Sequence, residues 1–145
     1  MIAKGVMTSF MKKSVRYLSQ ANKGNVRAAV VLSGCGVFDG SEITESVALM
    51  VALSRNNCSV EYYAPDMDQF HVIDHVNGYE IDQHRNVLVE SARITRGLIR
   101  PLSNLKVTDF HAIFFPGGFG AAKNLSTFAQ DGKEMTVLED VQRIL

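Results

Sequence analysis

The sequence has no tryptophan, only two cysteines and three prolines, and no long hydrophobic run. Cys35 and Cys58 are too few for a disulfide scaffold and lack the C-x-x-C spacing of a redox or zinc motif, so both read as reduced thiols. The longest apolar runs, such as Ala28 to Leu32 and Ala112 to Phe115, are strand-sized and far short of the roughly 20 residues a transmembrane helix needs. No membrane partner is expected. Neither sign of charge dominates, since 15 basic residues balance 15 acidic ones, which removes any general electrostatic case for a nucleic-acid partner. What remains, 46% hydrophobic and 21% charged over 145 residues, is ordinary for one globular domain.

One further absence divides the chain. Up to Arg27 there are six basic residues and no acid. Ile2, Val6, Phe10, Met11, Val15 and Leu18 fall mostly on one helical arc, and Ser9, Ser14 and Ser19 lie among them. An amphipathic, acid-free, serine-bearing start without a continuous apolar centre is the pattern of a mitochondrial transit peptide. Arg16-Tyr17-Leu18-Ser19 also resembles a matrix-processing site, cut between Leu18 and Ser19. The alternative is a solvated basic tail or nucleic-acid-binding arm. The expected organisation is a targeting segment over residues 1–25 and a folded domain over 26–145.

Within that domain, Val26 to Leu32 suits a strand buried on both faces, and it ends at Ser33-Gly34-Cys35-Gly36. A helix is expected after Ser41, its N-cap by residue type, with Ile43, Val47, Met50, Val51 and Leu53 facing inward. Ser59 to Ala64 alternates as a second strand, which makes a βαβ unit and a parallel sheet. Phe70 to Gly78, with its Asn77-Gly78 turn, fits a short hairpin outside the sheet. Asn86 to Thr95 is helical in pattern, Pro101 marks a boundary, and His111 to Phe115 is a third core strand broken by Pro116-Gly117-Gly118-Phe119-Gly120. A helix should run from Ala121 into Phe128 and another from Val137 onward. A three-stranded sheet with its last helix still running at Leu145 is an expected fragment with an open edge.

The two glycine-rich loops occupy places where phosphate-binding fingerprints occur, yet neither matches one. Ser33 to Gly40 reads G-x-G-x-x-x-G, one residue too long for a dinucleotide motif, and no acid ends the second strand. Pro116 to Asn124 lacks the P-loop Lys-Ser/Thr pair. No cofactor is expected. His71 and His75 have an i, i+4 spacing but no recognisable third ligand, so they read as polar surface rather than a metal site.

These loops also carry a resemblance. The segments Ser33 to Glu45 (SGCGVFDGSEITE), Arg85 to Gly97 (RNVLVESARITRG) and Phe115 to Phe128 (FPGGFGAAKNLSTF) resemble the ThiJ/PfpI, or class I glutamine-amidotransferase-like, superfamily. They are most similar to its branch of mitochondrial ES-one proteins and bacterial ElbB glyoxalases. The resemblance covers Val26 to Leu145 and implies a flavodoxin-like α/β sandwich with a parallel sheet, here incomplete at the C-terminus. It implies that Glu42 is the acid paired with a nucleophilic cysteine, and that Gly117 and Gly118 form the oxyanion turn, with Gly118 supplying the amide. The alternative for Glu42 is an acid favoured by the helix dipole in the first turn. The family's nucleophile lies beyond Leu145. Cys35, in the first loop, is near the expected site but not at the matching position, and Cys58 reads as core.

The resemblance implies a glyoxalase-like or deglycase-like mitochondrial enzyme acting on a small-molecule carbonyl, with homodimerisation common among relatives. In the 145-residue form it is expected to be inactive. The rival is a non-catalytic mitochondrial binding or scaffold protein of the same fold.

Overall fold

A computed structural model describes residues 26–145, so the proposed targeting segment lies outside the described residues. Four parallel strands form one sheet, β1 (Arg27–Val31), β2 (Ser59–Ala64), β3 (Arg100–Pro101) and β4 (Ala112–Phe114), in the order β3-β2-β1-β4. Helix α1 (Ile43–Arg55) links β1 to β2, and α2 (Val87–Thr95) lies between β2 and β3. Three short helices follow β4: α3 (Gly120–Lys123), α4 (Phe128–Asp131) and α5 (Glu139–Ile144).

The apolar run of β1 explains its central place. Alternate side chains leave opposite faces of a strand, so a strand covered on both sides must be apolar at every position. Ala28, Val30 and Leu32 pack with Leu53 of α1 and with Val87 and Ile94 of α2. Ala29 and Val31 pack on the other face with Leu102, Leu105, Leu125, Val141 and Ile144. The result is the three-layer, flavodoxin-like arrangement expected from the strand-helix-strand order.

The sheet has a fourth strand where only a boundary at Pro101 was expected. β3 is two residues long, too short to leave a periodic signal, and it pairs Arg100 with Tyr63 and Pro101 with Ala64. Side chains reinforce the pairing. Glu61 accepts from Arg100 at 2.8 Å, from Arg27 at 3.0 Å and from the Tyr63 hydroxyl at 2.9 Å. Proline is tolerated because β3 is an edge strand.

Helix α1 departs most from expectation. Its N-cap is Glu42 rather than Ser41, and its buried residues are Ser46 and Leu53. Ile43, Val47 and Val51, expected to face inward, are exposed. The sequence Ile43 to Arg55 is apolar around most of its circumference, so periodicity could not choose a face. Ser46 turns inward because its hydroxyl donates to Glu42 O at 2.7 Å, which removes the cost of burying it.

Smaller differences have local causes. The helix expected from Ala121 into Phe128 is two pieces, because the Asn124 side chain bonds the first loop and the Ser126 hydroxyl donates back to Ala121 O at 3.0 Å, closing the end of the first piece. The segment after Phe70 does fold back, with Ile73 bridged to Glu80 antiparallel and Asp74 N bonded to Tyr79 O at 2.9 Å. Arg96 and Gly97 both take positive φ at the end of α2, the conformation that stops a helix.

Candidate functional site

Three loops meet at the C-terminal end of the strands, the place where open parallel α/β sheets carry their sites. The first runs from Ser33 to Glu42, the second surrounds Phe70 to His75, and the third runs from Phe115 to Gly120. Their joining residue is Asn124, which is 2% exposed. Its amide nitrogen donates to Ser33 O at 2.8 Å and to Asp39 O at 2.9 Å, and its amide oxygen accepts from Phe70 N at 3.0 Å. One side chain therefore satisfies backbone groups of two loops that are remote in sequence.

Other polar contacts complete this clamp. The buried Asp39 carboxylate accepts from Ile73 N at 2.8 Å, fixing the second loop again. Ser41 Oγ accepts from Ser33 N at 2.9 Å, and Ser91 Oγ of α2 accepts from Gly34 N at 2.9 Å. Loop three is stitched to loop one by Glu42 N to Gly117 O at 2.7 Å, Phe119 N to Val37 O at 2.8 Å and Gly120 N to Gly40 O at 2.9 Å. The approach is so close that a Cβ on Gly120 would overlap Ser33 Oγ and come within 2.6 Å of Gly40 C.

Glu42 and Gly118 are brought together by this stitching. A Cβ on Gly118, whose φ is 106°, would lie 2.5 Å from Glu42 N and would collide with Gly40 O. Gly118 is therefore required by the backbone, whatever else it does. Its N–H has no hydrogen-bond partner among the described residues, whereas the Gly117 N–H donates to the Glu45 carboxylate at 2.8 Å. Of the two turn amides, only that of Gly118 is left available. Glu45, which sequence reasoning did not single out, makes that distinction. Its place in the acidic first turn of the expected helix gave the only sequence signal, and that signal pointed to the helix dipole.

The Glu42 carboxylate accepts from Glu45 N at 2.6 Å. This backbone hydrogen bond, joined by contributions from Thr44 and Ile43, holds its pKa below the ordinary glutamate value. Glu42 is thus an anion at neutral pH. Because the folded value is the depressed one, its capping contribution is present above the ordinary carboxylate range and is lost as pH falls through the folded pKa.

Cys35 is placed differently. It is partly buried and packs with the core cluster on the α1 and α2 face. Burial raises its pKa above the ordinary thiol value, and the negative charge of Glu90 raises it further. Arg93 and Arg85 oppose that effect, while Asp39 adds to it. Glu90 is itself buried and paired with Arg93 at 3.0 Å and Arg85 at 3.7 Å. The thiol is therefore protonated and poorly nucleophilic at neutral pH. Cys58 is buried in the same cluster. His71 and His75 lie near Glu80 at 3.6 Å and Asp39 at 3.7 Å, and no group of three or more metal-ligating side chains occurs among the described residues.

The first and third of these loops lie in segments that carried the resemblance, and comparison with known proteins gives the same assignment. The chain is 57% identical over 120 residues to the human mitochondrial "Glutamine amidotransferase-like class 1 domain-containing protein 3", covering 82% of this chain and 45% of that protein. It is 54% identical over 128 residues to the rat mitochondrial "ES1 protein homolog", covering 88% of this chain and 48% of that one. The chain is a homologue of the ES1 glutamine amidotransferase-like proteins. It is a mitochondrial protein, as these relatives and the zebrafish ES1 protein, 43% identical over 129 residues, are.

A crystal structure of an isoprenoid biosynthesis protein with an amidotransferase-like domain from Ehrlichia chaffeensis superposes with a TM-score of 0.77 at 39% identity. The superposition covers 81% of this chain and 56% of that one. No protein-family model matches the chain. This ES1 homologue spans about half the length of the relatives it matches, 45% to 48% of each.

Two predictions follow the geometry. Asn124→Ala should cost about 2 to 4 kcal/mol in urea unfolding, since it strands a buried backbone N–H and removes the donors to two carbonyls. Asn124→Asp should cost at least as much, because a carboxylate would face Ser33 O and Asp39 O; a variant as stable as the parent would contradict the clamp. For Cys35, alkylation by iodoacetamide at pH 7.5 should be slower than for an unstructured cysteine peptide. Glu90→Gln should speed it by removing the charge that disfavours the thiolate, and an unchanged or slower rate would contradict this assignment.

Proposed function

We propose that the complete protein is a glyoxalase-like or deglycase-like enzyme for small reactive carbonyls such as methylglyoxal, and that this chain supplies its acid-base and oxyanion groups. The observation that carries the reading is the Gly118 amide, left without a partner beside the backbone of Glu42 while Glu45 occupies its neighbour. An N–H held in place by the loops needs no reorganisation to stabilise charge on a carbonyl oxygen. Glu42, an anion at neutral pH, is in the right protonation state to accept a thiol proton.

The chemistry has a simple balance. A thiol gives its proton to Glu42, its sulfur adds to the aldehyde carbon, and the carbonyl π pair moves to the oxygen beside the Gly118 N–H. Return of the proton from Glu42 to that oxygen gives a neutral hemithioacetal. Cys35 and Cys58 do not suit the nucleophilic role, one held protonated and the other buried. The thiol is assigned to sequence outside these 145 residues. The same two observations favour, for this chain by itself, the second reading of a non-catalytic binding or scaffold protein.

The experiment measures lactate formed from methylglyoxal. A protein carrying this chain within the full length of its relatives should turn over, and Glu42→Gln, which keeps a cap acceptor, should lower kcat by about 100-fold or more. The 145-residue chain should form no lactate above buffer. Turnover by that chain which disappears in Cys35→Ser would move the nucleophile into the first loop, and a full-length protein without turnover would leave the binding role.

The basic segment 1–25 is proposed to direct import and to be removed, on the strength of its acid-free amphipathic pattern. Sequencing the N-terminus of protein recovered from mitochondria should find the chain starting at or after Ser19; a start at Met1 or Ile2 would overturn removal.

A further inference from the structure

The geometry points to Lys123 as the anchor for an anionic group on the substrate, so that the site takes a small aldehyde or ketone carrying a carboxylate or phosphate at its other end. The reasoning starts from a charge without a partner. Among the described residues, Arg55, Arg96, Lys106 and Lys123 are the lysines and arginines that make no ion pair. The first three are exposed, where water solvates the cation. Lys123 is half-buried.

Its ammonium is nonetheless held in one place. Nζ donates to Phe38 O at 2.7 Å and lies 5.8 Å from the centre of the Phe119 ring. That carbonyl is itself fixed, because the Phe38 N–H donates to His75 Nε2 at 3.3 Å and the Phe38 ring lies 5.0 Å from the imidazole. Neither contact neutralises the charge, since a carbonyl and an aromatic face attract a cation but carry no net charge of their own. The neighbouring acid, Asp39, is engaged elsewhere, accepting from Ile73 N at 2.8 Å and lying 3.7 Å from His75. A partly desolvated cation, fixed and without a counter-ion, is suited to receive an anion.

The place of that cation selects the ligand. Consecutive carbonyls of the first loop hold the third loop and the ammonium: Val37 O accepts from Phe119 N at 2.8 Å, and Phe38 O accepts from Lys123 Nζ. Phe119 directly follows Gly118, whose N–H is open, and its ring is 55% exposed beside the ammonium. The charge therefore stands one residue along the first loop from the turn that presents the amide. Successive residues are about 3.8 Å apart, so a short carbon chain spans the two positions. One small molecule can set a carbonyl oxygen on the Gly118 N–H and an anionic group on Lys123. Lysine recognises an anion as a point charge, which makes carboxylate and phosphate equivalent in kind. This inference rests on the carbonyl reading above for the Gly118 end of the ligand, and it names the class of carbonyl which that reading left open.

The test is a ligand-observed NMR titration of the 145-residue chain with two sets of probes. In the carboxylate set, levulinate carries a ketone and an anion, 2-pentanone only the ketone and pentanoate only the anion. In the phosphate set, dihydroxyacetone phosphate, dihydroxyacetone and glycerol 3-phosphate play the same parts. In at least one set the first ligand should bind at least about fivefold more tightly than either of the others, and that set identifies the anion. Lys123→Gln keeps a donor for Phe38 O but removes the charge, and should cut the advantage over the neutral ketone to less than about twofold, while Lys123→Arg keeps most of it. On the parent chain, acetylation of Lys123 by a succinimidyl ester, read by peptide mass, should be slowed by the preferred ligand and not by its neutral counterpart. That measurement needs no variant, so it decides the matter even if Lys123→Gln fails to fold. The inference is overturned if neither set shows the preference, if the preference survives in Lys123→Gln, or if the preferred ligand leaves Lys123 acetylation unchanged. These readouts report binding alone. A full-length protein that forms no lactate from methylglyoxal would remove the catalytic reading and leave this one, whereas lactate formation without discrimination among the probes would do the reverse.

Discussion

The arrangement of the strand ends depends on one buried amide. Asn124 stands where three loops converge, and its two donors and one acceptor are all used on backbone groups of the first and second loops. Without it, two carbonyls and one N–H would be shut away from water unpaired, a cost that hydrophobic packing nearby does not repay. Asp39 and Ser41 extend the same logic, each buried and each accepting from a main-chain N–H, and the buried Ser33 hydroxyl pairs with that of Ser41. The site is thus made rigid by neutral or singly charged groups satisfying backbone, not by ion pairs.

That rigidity gives Glu42 and Gly118 their relation. Neither residue holds the other directly. Glu42 N bonds to Gly117 O, and the missing side chain of Gly118 lets the third loop lie against Gly40 and Glu42. Glu42 then closes its own helix by capping the Glu45 N–H, and Glu45 reaches back to Gly117. A short circuit of backbone and carboxylate bonds therefore decides which amide is taken and which is open.

Much of the fold could be read from the residues. The uninterrupted apolar stretch Ala28 to Leu32 required burial on both faces, and the loops after β1 and β4 announced themselves by glycine. Glu42 and the Pro116-Gly117-Gly118 turn were found through resemblance. The structure joins them through contacts that no spacing in sequence could encode. β3 escaped notice because two residues have no period and its support, Glu61 to Arg100, is a pairing across strands. The face of α1 was misread because a helix apolar nearly all round has no direction in its pattern. Asn124 was missed for a related reason, since a lone asparagine after a short helix reads as a turn residue until its partners are known.

The absent side chain of Gly120 has a consequence for divergence. Ser33 Oγ and the Gly40 backbone fill the space a Cβ would need there, and Asn124, one turn further on, is bonded to Ser33 and Asp39. A change of backbone path in the first loop would have to be met by a change in the third, and Ser91 ties α2 to the same bargain through Gly34 N. Selection therefore meets these distant stretches as a single unit. A substitution that shifts one of these stretches has to be answered in the others.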